Sequence, residues 1–96
     1  MYLLVVSYTK PVEEVAPYVQ SHSDWVKKHF NSGVFLLAGP KKNKFGGAIL
    51  VKSIERCELN KIISEDSFVV GDVAEYQIID FDCKVSAAGL EMLTAA

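Results

Sequence analysis

Tyr2-Leu3-Leu4-Val5-Val6-Ser7-Tyr8 is β-branched and aromatic, and it is apolar at positions that face both sides of an extended strand. Val34-Phe35-Leu36-Leu37-Ala38 repeats the pattern. An antiparallel sheet with one wet face alternates apolar and polar residues instead. Both faces of the sheet these strands build therefore need cover. Helices supply one cover, and a second copy of the same sheet, packed face to face as a homodimer, is the simplest candidate for the other. The first run falls far short of the roughly 20 residues that span a bilayer. It also lacks the basic flank and small-residue cleavage site of a secretory signal, so a cytoplasmic protein is expected.

The order of elements follows from the punctuation. Pro11 suits the first turn of a helix running to about Asn31, with Glu13 and Glu14 near its positive dipole end, and Pro17 threatens to interrupt it. Gly33 stops that helix, and Gly39-Pro40 closes the second strand. Lys41 to Gly47 reads as a hairpin connection into Ala48-Ile49-Leu50-Val51. Ser53 is placed to cap a second helix carrying Ile54, Leu59, Ile62 and Ile63, and Ser64 to Ser67 turns the chain. Glu75 to Phe81 alternates as a fourth strand, and residues 84–96 form either a short helix or a tail. The resulting βαββαβ order is the split βαβ arrangement of an α+β, ferredoxin-like fold. It has a four-stranded antiparallel sheet with two helices on one face.

Residues 1–96 suffice for one domain, and with 50% of them hydrophobic the chain can build a core. A net charge of −2 argues against a nucleic-acid or membrane-surface partner. Cys57 and Cys83 show neither metal nor redox spacing and read as free thiols.

His22 is the chemically informative residue. Val15, Val19, His22, Val26 and Phe30 fall roughly on one helical face, where an imidazole must find a partner or a polar cavity. The plain alternative is a core histidine bonded for packing. His29, about 10 Å further along the helix axis, is too distant to share a metal with it. No ligand cluster or nicotinamide, flavin or haem fingerprint stands elsewhere, so neither metal nor cofactor is expected. Lys41, Lys42 and Lys44 are either a solvated hairpin tip or a device that steers a small anionic ligand. Gly46 and Gly47 do not link a strand to a helix and form no phosphate loop.

The stretches HSDWVKKHFNSGVFLLAGP and EDSFVVGDVAEYQIIDF, over roughly residues 2–82, resemble the signature of the YCII-related (YciI-like) family of small dimeric α/β-barrel proteins. That pattern has a helix-one histidine followed three residues later by a bulky side chain. A Gly-Pro closes strand two, and an Asp-Pro-aromatic turn precedes the last strand. Here Ser67 replaces the proline, and Asp72 lies where the family tends towards small residues. The resemblance implies a histidine–aspartate dyad mapping onto His22 and Asp66. Trp25, Gly39, Pro40 and Phe68 then lie around a small-molecule site. On the plain reading, Asp66 is a turn residue bonding its own backbone, and Trp25 and Phe68 are core.

A carboxylate accepting the Nδ1 proton leaves Nε2 as a general base. Ser21 and Ser23 flank His22 and are expected to point elsewhere, which argues against acyl-enzyme chemistry. A base without a nucleophile suits lyase- or isomerase-like chemistry on a carbonyl or lactone compound, as on lactone isomerases of the same fold. A non-catalytic metabolite-binding or interaction module is the alternative, and a cofactor-free oxygenase acting on an aromatic substrate is a third.

Overall fold

The computed structural model describes residues 1–95. The chain forms β1 (Tyr2–Tyr8), α1 (Val12–Val15), a 3-10 turn (Ala16–Tyr18), α2 (Val19–Asn31), β2 (Phe35–Pro40) and β3 (Gly46–Val51). After these come α3 (Arg56–Ser64), the single turn α4 (Ser67–Val70), β4 (Ala74–Asp80) and a terminal 3-10 turn (Glu91–Ala95). The strands make one sheet in the order β2-β3-β1-β4, and every neighbour is antiparallel. This is the ferredoxin-like α+β fold.

Register and pleat decide which side chains are buried. Tyr2 and Leu4 of β1 lie opposite Val51 and Ile49 of β3, and Phe35 of β2 lies opposite Val51. These side chains share one core with Trp25 of α2 and with Leu59 and Ile62 of α3, so both long helices cover the same face. Leu4 and Leu59 are wholly buried, each contributing roughly 1.5–3 kcal/mol by leaving water. A second cluster joins Val6, Val15, Phe68, Val73 and Ala74 at the other end of that face. On the opposite face Leu3, Val5 and Leu50 alternate outward, and Leu37 and Ile79 there remain 53% and 47% exposed.

Pro17 does interrupt the first helix, sitting in the 3-10 turn between α1 and α2, while several other local expectations are corrected. Within α2 the buried residues are Trp25 and His29, one position off the apolar stripe, whose Val19 and Phe30 are 46% and 37% exposed. Ser53 does not cap α3. Glu55 occupies that position without a side-chain bond, and the Ser53 hydroxyl accepts from the Met1 ammonium at 3.0 Å. Gly39 and Pro40 belong to β2 itself, which tolerates proline because it is an edge strand. Asp72 adopts a positive φ of 54°, a conformation aspartate accepts more readily than most residues.

Candidate active site between the long first helix and the sheet

The α3–α4 turn ends in Asp66, whose carboxylate caps α4 by accepting from the Phe68 N–H at 3.1 Å. The same Oδ1 lies 2.7 Å from His22 Nδ1, and Oδ2 accepts from the Tyr76 hydroxyl at 2.6 Å. Asp66 is completely buried. The Phe68 N–H and the Tyr76 hydroxyl both donate to it, so its role is that of acceptor, and a hydrogen bond to His22 then calls for the proton on Nδ1. Burial, reinforced by the charge and hydrogen bond of Asp66, pushes the Tyr76 phenol well above its ordinary range, so it stays a donor. His22 stacks on Phe68 with centroids 3.9 Å apart and planes 6° from parallel. Backbone cap, carboxylate and stacked ring together fix the imidazole plane.

His22 Nε2 has no hydrogen-bond partner among the described residues. No buried side-chain nitrogen or oxygen lacks a hydrogen bond among the described residues, so Nε2 must be reached by solvent. The ring borders a cavity of about 330 Å³ between α2 and the sheet, at the small end of ligand sites. Its walls are largely apolar, with Tyr8 and Ser23 the polar side chains beside His22. Small residues of β2 and β3, Ala38, Gly39, Gly46, Gly47 and Ala48, form its sheet side. Glycine is also needed within the sheet, because a Cβ on Gly47 would stand 2.8 Å from the Gly39 carbonyl oxygen and one on Gly46 would collide with the Val6 backbone.

Of the residues singled out in the sequence, His22, Gly39, Pro40 and Phe68 border this cavity, and Asp66 lies behind His22. Trp25 does not border it. Its indole N–H donates to the Ile62 carbonyl at 2.9 Å, and the ring packs edge-on against Phe35 in the core. The apolar stripe of α2 faces the cavity through His22, Val26 and Phe30. Ser21 turns back to the Tyr18 carbonyl, as expected, but Ser23 lines the cavity rather than pointing elsewhere. Tyr76 was missed as a site residue. Alternation along β4 sets it on the helix-covered face with Ala74 and Ile78, where a half-buried phenol seeks an acceptor. Ser67 offsets the missing proline by donating to the Tyr18 carbonyl at 3.0 Å, which ties the Asp66 turn to the start of α2.

A second pair repeats the motif about two helical turns away. His29 Nε2 lies 3.1 Å from Glu65 Oε1, and Lys28 reaches the same oxygen at 3.6 Å. The His29 hydrogen bond is the main reason the Glu65 carboxyl is held below its ordinary value, with Lys28 assisting. Adjacent carboxylates thus grip two histidines of α2, and the helix is clamped to the α3–α4 turn. No group of residues suited to a metal ion is present among the described residues. Cys57 and Cys83 are free thiols. No helix among the described residues is long and apolar enough to cross a membrane.

A βαββαβ sheet with a buried carboxylate behind a cavity-facing histidine defines a small ferredoxin-like domain with a chemically equipped pocket. The YCII-related domain family matches residues 1–82, and the chain belongs to that family. No curated protein matches it in sequence. Among solved structures it is similar to 5-chloro-2-hydroxyhydroquinone dehydrochlorinase from Burkholderia phenoliruptrix AC1100, in complex with 2,5-dihydroxybenzoquinone. The TM-score is 0.70 at 12% identity, covering 85% of this chain and 94% of that one.

Proposed function

We propose that this protein is a small enzyme in which His22, oriented by Asp66, acts as general base on a small cyclic carbonyl or hydroxylated ring compound. The observation that carries the reading is the 2.7 Å contact between His22 Nδ1 and a wholly buried carboxylate, with the ring at the edge of a cavity. The Nε2 lone pair takes a proton from the carbon beside a carbonyl or from a ring hydroxyl. The released electron pair becomes an enolate. It then either collects a proton at another carbon, which is isomerisation, or expels a leaving group from the adjacent carbon, which is elimination. The imidazolium formed is stabilised by Asp66 and can return the proton. The Tyr8 and Ser23 hydroxyls are the side-chain donors available to the developing oxyanion.

The structural neighbour's dehydrochlorination of a chlorinated hydroxyhydroquinone is chemistry of this elimination type. Family membership and the shared fold add support. The outward sheet face bearing Leu3, Val5, Leu37 and Ile79 suits burial against a second copy, giving a homodimer.

The test is turnover of chlorinated hydroxyhydroquinones and unsaturated lactones, followed by chloride release and ultraviolet absorbance. His22→Ala should lower kcat by about 10²–10⁴ while the protein stays folded. Undiminished turnover in that variant removes His22 as the base. Saturable binding of these compounds without turnover by the unmodified protein would favour the binding-module reading.

A further inference from the structure

We infer that the ligand of this cavity is a flat ring bearing an ionised oxygen substituent, drawn in by the lysines of the β2–β3 hairpin. The inference deepens the proposed function and rests on its reading of the cavity. Flatness follows from the parallel His22 and Phe68 rings on the helix side and from the small residues Gly39, Gly46, Gly47 and Ala48 on the strand side. The charge preference follows from what adjoins the cavity. A groove bordered by Lys41, Lys42 and Lys44 shares Tyr8, Pro40 and Gly46 with it. Among the described residues no acidic side chain lines either hollow, although the whole chain has a net charge of −2. The positive charge is therefore local and set against the sign of the molecule.

Lys41 is fixed by donating to the Ser7 hydroxyl at 2.8 Å, while Lys42 and Lys44 are exposed on the hairpin tip. A low-dielectric cleft rimmed by one sign of charge concentrates the opposite sign. Neutral aliphatic rings would gain nothing from this arrangement.

The experiment measures binding of three probes by calorimetry at low and high salt. They are 2,5-dihydroxybenzoquinone (a vinylogous acid, ionised at neutral pH), its uncharged 2,5-dimethoxy analogue and the smaller uncharged hydroquinone. The anion should bind about tenfold more tightly than either neutral ring at low salt, and the advantage should shrink as salt rises. Reversing two charges, Lys42→Glu with Lys44→Glu, should weaken the anion about fivefold or more and leave the neutral rings unchanged. A neutral ring binding as tightly as the anion, or an anion affinity indifferent to the reversal, overturns the inference alone. Failure of all three to bind overturns the ring-binding reading beneath it as well.

Discussion

Tyr76→Phe removes one oxygen and should destabilise the protein by about 2 kcal/mol. The half-buried phenol sits 2.6 Å from the wholly buried Asp66 carboxylate, and a hydrogen bond to a charged group contributes about 1.5–3 kcal/mol. Phenylalanine keeps the ring and its contacts with both core clusters, so no cavity opens and the whole effect belongs to the hydroxyl. For a domain of this size, 2 kcal/mol corresponds to roughly 8–16 °C in Tm. Urea unfolding followed by tryptophan fluorescence should show a lower midpoint at an unchanged slope. The companion variant is Asp66→Ala, which strands the Tyr76 hydroxyl as a half-buried, unpaired donor. In that background Tyr76→Phe should cost almost nothing or be favourable, because both partners of the bond are then gone. A cost below about 0.5 kcal/mol in the native background, or an equal cost in both, would refute the argument that this phenol anchors the carboxylate.

Trp25→Phe should destabilise by about 1–3 kcal/mol through lost packing and the lost bond to Ile62, yet leave ligand affinity intact in calorimetry. Gly47→Ala brings a methyl against the Gly39 carbonyl and should lower Tm by several degrees, measurable by circular dichroism. The Glu65 carboxyl is depressed in the folded state, so its contribution is complete above its unfolded value near 4.5 and is lost as pH falls through the folded value. The stability difference between the native protein and Glu65→Gln should therefore narrow on acidification below pH 4.5, and a gap that widens there contradicts the assignment. Leu37→Glu with Ile79→Lys places charge on the outward sheet face and should yield a monomer by light scattering; an unchanged dimer means a different face pairs.

Element order was legible because the cues are local. Gly33, with φ of 82°, ends α2 where a glycine was expected to end it, and the period-two alternation of β4 survives intact. The buried face of α2 was not legible, since Trp25 and His29 lie one position off the apolar row and belong to residue types found in sites and cores alike. The stripe through His22, Val26 and Phe30 shows the related ambiguity that an apolar row looks the same whether it faces a core or an apolar cavity. Asp66 satisfies both of its readings, because its Oδ1 caps a turn and meets His22 at once. The role of Tyr76 depends on the β1–β4 register, which sets Val6 opposite Tyr76, and no local pattern encodes that pairing.

What matters most is which nitrogen of His22 carries the proton when the ring is neutral. Nitrogen-15 NMR of histidine-labelled protein at mildly alkaline pH reads this directly, with His22→Gln assigning the signal. A protonated Nδ1 and a bare, pyridine-like Nε2 is the pattern expected from a ring tied to Asp66 and open to the cavity. A proton found on Nε2 would leave no base facing the cavity and contradict the account.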